Sequence, residues 1–391
     1  MNNVNKNIGL LATCQALLLT NNAVMVATAG LAGFALATDK TMATLPMTFF
    51  VGGAAATTMG LSMLMKRIGR RNGFSVGTSF GVLGALLCAY AIYLQSFWVL
   101  CIGTAVMGVY NATGQYYRFA AADVAAADFK AKAISLVLAG GIVGAVVGPE
   151  SSKLTRDLWM PFAGSFLSLA VFAMLAILVQ RMLDIPPPSH AEQATGGRPL
   201  CEIARQPAFI VAVATAAVSF GVMNLLMTAT PLAMMACQYP FKETAFVIEW
   251  HILGMFVPSF FTGSLIKRFG VITIMMTGLA LNFACVAFAL SGFEVWRFWA
   301  AMVTVGVGWN FMYVGATSLL TETYKPAEKA RAEGFNESAI LVTLVVSSAS
   351  SGALFTLQGW ERMNWMVLPL LALTGVMLLW LGTQRRGAPA R

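Results

Sequence analysis

The sequence predicts an all-helical membrane protein in which twelve transmembrane helices form two six-helix repeats. Three observations support this prediction: the composition, the length of the apolar segments and an internal repetition of short motifs. Of the 391 residues, 58% are hydrophobic and only 10% are charged, and the mean hydropathy is +0.74. Soluble domains contain roughly 45–50% apolar and about 25% charged residues. The composition therefore indicates a chain that lies in a lipid bilayer.

Twelve apolar segments are long enough to span the hydrocarbon core, which takes about 20 helical residues. Six lie on each side of one long polar stretch, LDIPPPSHAEQATGGRPLCEIARQ, whose three consecutive prolines and Gly-Gly pair are typical of a linker. We therefore predict an N-terminal six-helix half at 1–184, a cytoplasmic linker at 185–206 and a C-terminal six-helix half at 207–391. The predicted spans are 8–36, 42–65, 73–95, 97–120, 131–150, 160–182, 207–235, 244–266, 271–292, 297–320, 334–356 and 364–384.

Positively charged residues predict the orientation of the helices. Most of the 25 lysines and arginines, Arg118 among them, fall in one set of connections together with both termini and the linker. Cytoplasmic loops of membrane proteins are enriched in these residues, so both termini are expected in the cytoplasm. The same distribution argues against a nucleic-acid partner, although the formal net charge is +9.

Short motifs recur in the second half at a nearly constant offset of about 200 residues. KRIG at 66–69 recurs as KRFG at 267–270. Asn111 precedes a KAKA motif by the same distance as Asn310 precedes a KARA motif. Several matches at one offset indicate two repeats with parallel topology, which resembles the organisation of the major facilitator superfamily.

The loop after the second segment carries a family signature. SMLMKRIGRR at 62–71 resembles the G-x-x-x-D-R-x-G-R-R signature of that superfamily, with Ser62 at the first glycine and Lys66 at the aspartate. The resemblance implies a secondary transporter that holds its cargo near the bilayer midplane, between its two halves. The sequence contains no nucleophile–base set, phosphate loop or catalytic acid pair, so neither an enzyme nor a resident cofactor is expected.

Soft donor side chains recur on the predicted seventh and eighth helices. Met223 and Met227 are four residues apart, and His251 and Met255 have the same spacing in the stretch EWHILGMF. Four residues make about one helical turn, so the members of each pair share a helix face. Among 23 methionines, a methionine pair by itself is more often packing material, but the chain has only two histidines. The His–Met pair is therefore the less expected of the two.

Counting from the outer ends of these helices places the two pairs at matched depths. Met227 and His251 lie roughly 12 Å below the outer end, and Met223 and Met255 lie roughly 18 Å below it. If the faces oppose each other, three thioether sulfurs and one imidazole would suit Cu(I). The alternative is that the methionines and a neutral histidine only fill the core. Three further residues follow at the outer mouth: Met234, Met235 and Cys237. They are either soft donors that form an access path or plain interfacial residues.

The paired motifs resemble those of the CcoA-type copper importers of proteobacterial inner membranes, and the stretches GQYYRFAAAD and AISLVLAGG extend the resemblance. The resemblance implies that Met223, Met227, His251 and Met255 bind copper as the transported substrate. It also implies copper import for the assembly of cbb3-type cytochrome c oxidase, with a copper chaperone as a partner on either side. The expected location is the bacterial inner (cytoplasmic) membrane, with the lipid bilayer as the surrounding partner.

A transporter of an organic solute, such as riboflavin or a drug, is the alternative. Related chains that lack the paired motifs resemble riboflavin transporters. A metal-responsive receptor that does not transport is a third class of function. No acidic residue lies clearly in the middle of a predicted helix, so the sequence does not indicate proton coupling. The residues that could stack on a flat organic cargo are aromatic: Tyr110, Tyr116, Tyr117, Trp309 and Tyr313.

Overall fold

The computed structural model of the chain describes residues 3–39, 42, 45–156, 158–188 and 197–387, and every regular element in these ranges is helical. A short 3₁₀ helix, Pro326–Glu328, precedes the last α-helix. The α-helices are α1 (Asn3–Leu36), α2 (Leu45–Ile68), α3 (Arg70–Tyr93), α4 (Phe97–Gly114), α5 (Tyr117–Val124), α6 (Lys130–Ala139), α7 (Gly141–Thr155), α8 (Ala163–Arg181), α9 (Leu200–Ile203), α10 (Pro207–Ala236), α11 (Phe241–Phe256), α12 (Ser259–Phe269), α13 (Val271–Leu290), α14 (Val295–Leu320) and α15 (Lys329–Gly387).

The length and hydropathy of these helices suit a membrane. Within the described ranges, ten helices are long and apolar enough to cross a bilayer, and the count is eleven if α11 and α12 form one span bent by 42°. The predicted eleventh span, 334–356, lies in the first part of α15. Gly359 has φ 77° and ψ 172°, which are not helical angles, so it separates that part from the rest of α15. The prediction of an all-helical membrane protein is confirmed.

Contacts divide the chain into two compact units. Unit 1 consists of Met1–Ala125, Gly140–Gly197 and Pro326–Leu341. Unit 2 consists of Ala126–Ala139, Arg198–Lys325 and Val342–Arg391. Unit 1 thus includes the first turns of α15, and unit 2 includes α6. The division into halves at a linker stays a prediction, and residues 189–196 of that linker lie outside the described residues.

In unit 1, glycines let α2 and α4 approach closely. A Cβ on Gly53 would overlap the carbonyl oxygen of Ala105, and a Cβ on Gly108 would overlap that of Phe50. Small residues have this role at helix contacts in membranes, where shape and dispersion replace the hydrophobic effect. The neighbouring Gly52 has no heavy atom within 4 Å of its Cβ position. The close approach therefore depends on one of the two adjacent glycines.

In unit 2, α14 is the most buried helix, and it packs against α10, α11 and α13. A Cβ on Gly306 would lie 2.7 Å from the carbonyl oxygen of His251 on α11, and one on Gly308 would lie 2.7 Å from that of Gly278 on α13. Helix α14 thus has a neighbour in backbone contact on two sides. These two contacts fix which face of α14 meets α11 and which meets α13.

Asparagine side chains join helices within each unit. In unit 1, Asn22 donates to Asn111 at 2.9 Å. In unit 2, the amide of Asn224 donates to Ser347 at 2.9 Å and to Ser348 at 2.8 Å. Such bonds satisfy polar groups that have no water to bind in the hydrocarbon region.

The two adjacent glycines of α2 provide a matched test of the packing in unit 1. Alanine favours a helix over glycine by roughly 0.5–1 kcal/mol, so Gly52→Ala should keep or slightly raise the thermal midpoint of the purified protein in detergent. Gly53→Ala should lower it, because its methyl group forces α2 and α4 apart. Equal midpoints for the two variants would show that the approach of α2 to α4 is not a close contact.

Candidate functional site

A break between α11 and α12 shapes this part of unit 2. Pro258 has no backbone N–H, so the helical hydrogen-bond ladder cannot continue through it. Asn310 on α14 bridges the break: its amide donates to the carbonyl of Met255 at 2.7 Å and to the hydroxyl of Ser259 at 2.5 Å. Its oxygen accepts a bond from Thr262 at 2.7 Å. One side chain therefore holds the ends of both helices, and broken helices of this kind border the cargo sites of transporters.

Four rings from three helices meet beside the break, and we call them the aromatic cluster. Trp309 and Tyr313, one turn apart on α14, stack with centroids 5.0 Å apart and planes at 24°. Phe220 on α10 lies edge-on to both, at 5.1 Å from Trp309 and 4.7 Å from Tyr313. Phe256, the last residue of α11, lies 6.0 Å from Trp309 at 78°. Edge-on and offset arrangements are those that aromatic rings prefer.

The indole nitrogen of Trp309 gives the aromatic cluster a polar group. Trp309 is buried, and its Nε1–H has no hydrogen-bond acceptor among the described residues. An unpaired buried donor is costly, and proteins pair most such groups. A ligand carbonyl beside the ring would satisfy it. The aromatic cluster is thus suited to a flat heteroaromatic solute that carries hydrogen-bond acceptors.

The other three aromatic residues of the sequence prediction lie in unit 1 and serve packing. Tyr110, Tyr116 and Tyr117 are all fully buried. The hydroxyl of Tyr116 donates to the carbonyl of Thr58 at 2.9 Å. The hydroxyl of Tyr117 accepts a bond from Gln180 at 2.8 Å. Of the five predicted aromatic residues, Trp309 and Tyr313 join the aromatic cluster.

The four residues of the predicted copper site lie on α10 and α11, and the described hydrogen bonds of the α11 pair are made with α14. On α11, the Nδ1–H of His251 donates to the carbonyl of Met302 on α14 at 2.8 Å, and the carbonyl of Met255 is bound by Asn310. On α10, Met223 is buried and Met227 is half-buried. The described hydrogen bonds of His251 and Met255 thus lead to α14 rather than to α10.

The remaining imidazole nitrogen of His251 keeps a lone pair. Its Nε2 has no hydrogen-bond partner in the described part of the chain, and a neutral imidazole can offer such a nitrogen to a metal. No group of three or more histidine, cysteine, aspartate or glutamate side chains that could hold a metal is present among the described residues. Coordination by Met223, Met227, His251 and Met255 stays a prediction.

The predicted access path lies at the end of α10. Met234 is buried, Met235 is exposed and Cys237 is half-buried. Cys237 borders a cavity of about 350 Å³ that Trp360 and Arg362 also line. Burial raises the pKa of the Cys237 thiol, which disfavours the thiolate that metals bind. The path itself stays a prediction.

Two buried acids near the start of α15 were missed by the sequence analysis. Glu337 lies 2.5 Å from Arg118, and Glu333 lies 2.5 Å from Arg70, all within unit 1. Arg118 was predicted to lie in a cytoplasmic connection from the charge pattern, which does not reveal a buried partner 219 positions away in the chain. The Glu-x-x-x-Glu spacing at the start of an apolar segment is the signal that could have identified the two acids, since it places them on one helix face.

The helical bundle with its broken span is that of a multi-pass membrane protein, and membership of a family of transporters shows that it is a transporter rather than an enzyme. The family model described as the Major Facilitator Superfamily matches residues 10–250 and 243–391, and the chain belongs to this superfamily. The bacterial homologue of the iron transporter ferroportin has the same fold, with a TM-score of 0.76 at 13% identity over 96% of this chain and 99% of that one. The E. coli fucose:proton symporter FucP gives 0.73 at 15% identity over 95% and 98%. The superfamily prediction is confirmed, and transporters of this family typically need no cofactor.

A relative at much higher identity bears on the cargo. The riboflavin transporter RfnT of Brucella anthropi is 41% identical over 98% of each chain. The prediction of copper import is therefore wrong, as are the predicted copper partner, the copper chaperone and the role in cytochrome oxidase assembly. The CcoA-type resemblance is not confirmed. It rested mainly on the two paired motifs, and a four-residue spacing fixes a shared helix face but not the neighbour that the face meets.

His251 should be important for stability. His251→Ala removes a buried ring and a hydrogen bond to α14, which should cost about 2–4 kcal/mol and lower the thermal midpoint in detergent. Phe246→Ala, which removes an exposed ring from the same helix, is the control and should change the midpoint little. An unchanged midpoint in His251→Ala would contradict this role. A metal site would appear as a rise in the wild-type midpoint with Cu(I) that His251→Ala abolishes.

Proposed function

We propose that this protein transports riboflavin across the bacterial cytoplasmic membrane. The observation that carries the proposal is the 41% identity with a riboflavin transporter along nearly the whole of both chains. An alignment of this extent includes every helix that contributes to the aromatic cluster. A fold alone would not support a cargo, since one fold serves many, so the site has to fit the cargo as well.

The aromatic cluster fits the flavin ring by its chemistry. Riboflavin presents a flat, three-ring system with two carbonyl groups at one end. The aromatic cluster supplies Trp309, Tyr313 and Phe220 as rings against which a flavin would pack once the helices move, and each ring contact contributes roughly 0.5–1.5 kcal/mol. The Nε1–H of Trp309 would donate to a flavin carbonyl, which removes the cost of an unpaired buried donor. Few other polar side chains are needed to orient a ligand held in this way.

The break between α11 and α12 would allow α11 to move beside the aromatic cluster. Phe256 is the last residue of α11, and the brace made by Asn310 lies next to Trp309 in the sequence of α14. A shift of α11 about Pro258 would move Phe256 relative to Trp309. Cargo binding and helix bending would then be coupled, as alternating access requires.

The charge pattern supports an orientation with both termini in the cytoplasm. Basic residues end two helices: Lys66 and Arg67 lie in the last turn of α2, and Lys267 and Arg268 in the last turn of α12. Positive residues mark the cytoplasmic ends of membrane helices. We therefore place these helix ends on the cytoplasmic side.

Trp309→Ala should reduce riboflavin uptake about 5- to 150-fold, because the loss of a stacked ring and a hydrogen bond amounts to roughly 1–3 kcal/mol. Trp309→Phe, which keeps a ring but has no N–H, should fall between wild type and alanine. The matched control is Trp296→Ala on the same helix, whose ring is 56% exposed, and it should leave uptake unchanged. The measurement is the initial rate of radiolabelled riboflavin uptake by a bacterial riboflavin auxotroph, at equal membrane levels of each protein.

Two results would count against the proposal, and they differ. If wild-type expression does not restore uptake or growth on low riboflavin, riboflavin is not the cargo. If the wild type transports riboflavin and Trp309→Ala does so equally well, the aromatic cluster is not the binding site.

A further inference from the structure

A charge pair is fully enclosed in unit 1 where α5 meets the start of α15. Arg118 is 2% exposed, Glu337 is 0% exposed, and the guanidinium Nη2 lies 2.5 Å from the carboxylate Oε1. Glu337 lies eight residues into α15, roughly 12 Å from its start. A charged group that deep in a membrane protein is costly and therefore indicates a function.

The two oxygens of Glu337 have different surroundings. Oε1 accepts hydrogen bonds from Arg118 and, at 2.7 Å, from the amide of Asn336. Oε2 is buried and has no hydrogen-bond partner within the described residues. A proton could attach to Oε2 without breaking a bond, and burial without water favours the neutral acid over a lone carboxylate. The geometry therefore leaves Oε2 open to a proton while Oε1 keeps its bonds to Arg118 and Asn336.

The ionisable groups around Glu337 lie on α3, α5 and α15 and at Tyr116, which directly precedes α5. Arg118 on α5 is the direct partner, and Tyr116 and Glu333 are the other ionisable groups that interact with it. Glu333 is already paired with Arg70 of α3 at 2.5 Å, and Arg70 also contacts Asp123 at 3.2 Å. The Glu333 side of the cluster is thus held by its own ion pairs. Glu337 is the carboxylate with the unoccupied oxygen.

We propose that Glu337 is the proton-binding site through which a proton gradient drives transport, with Arg118 as its counter-charge. The proposal rests on the proposed function for its cargo but not for the site itself. One proton would bind Oε2 from the outer side, cross together with one riboflavin and leave to the cytoplasm, so that proton and cargo both move inward. Arg118 remains satisfied in the protonated state because its Nη1 also donates to the carbonyl of Gln115 at 2.6 Å.

Protonation would act on the structure through the ion pair. A neutral acid attracts a guanidinium far less than a carboxylate does in a medium of low dielectric constant. The link between α5 and α15 would weaken when the proton binds and strengthen when it leaves. The proton would thus bias a contact between segments that are remote in sequence, which is how a coupling ion can control a conformational change.

The first test needs no cargo. Infrared spectra of the purified full-length protein, recorded over a range of pH, should show a protonated-carboxyl band that titrates in the wild type and is missing in Glu337→Gln. The matched control is Glu322→Gln, since Glu322 is 51% exposed and pairs with Arg385 at 2.8 Å. The band should persist in that control. A spectrum that is the same in wild type and Glu337→Gln would overturn the proposal.

The second test uses radiolabelled riboflavin and proteoliposomes in which the membrane potential is clamped at zero. With one proton per riboflavin, a gradient of one pH unit, alkaline inside, should support about tenfold accumulation by the wild type. Glu337→Gln should lose this accumulation but keep exchange of internal for external riboflavin in the absence of a gradient. A merely structural role would impair both activities together.

The double variant Arg118→Gln/Glu337→Gln covers the case in which Glu337→Gln alone does not fold, because it leaves no unpaired charge behind. It should exchange riboflavin but not accumulate it. Accumulation by either variant equal to that of the wild type would overturn the coupling site. A titrating Glu337 band together with absent riboflavin exchange would instead support the proton site and reject riboflavin as the cargo.

Discussion

The absence of water from the bilayer interior is the constraint on which this structure depends. Every polar group there needs a partner within the chain, and the helices satisfy their backbones by themselves. Asn310 supplies partners where Pro258 interrupts the helical ladder. Against this background, buried polar atoms without a hydrogen-bond partner among the described residues are informative. Two of them, Nε1 of Trp309 and Oε2 of Glu337, lie where we place the cargo and the proton.

Helix α14 combines close packing with the site that we propose for the cargo. Gly306 admits the backbone of α11, which directs Trp309 and Tyr313 towards Phe220 of α10. Asn310 stands between these two rings in the sequence and holds the neighbouring break. Because the same helix fixes the rings and the break, their relative positions are well defined. Binding sites on such rigid, packed elements are more accurately preorganised than sites on loops.

Much of the fold could be predicted from the sequence because transmembrane helices depend on local hydropathy. The i, i+4 pair Trp309–Tyr313 could also be recognised, since a shared helix face follows from spacing alone. The direction of that face does not follow from spacing, so Met302 could not be predicted as the hydrogen-bond partner of His251. The ion pair of Arg118 with Glu337 could not be found locally, because its members lie on helices that only the folded chain brings together.

The brace at Asn310 has an evolutionary consequence. The side-chain nitrogen of Asn310 donates hydrogen bonds to Met255 and Ser259, and its side-chain oxygen accepts one from Thr262. An aspartate would lose the donor, and a leucine would lose both ends and leave a carbonyl unpaired in an apolar setting. Substitutions at positions 259, 262 and 310 are therefore not independent. Among relatives that keep the proline at 258, these three positions should vary as a group or stay fixed together.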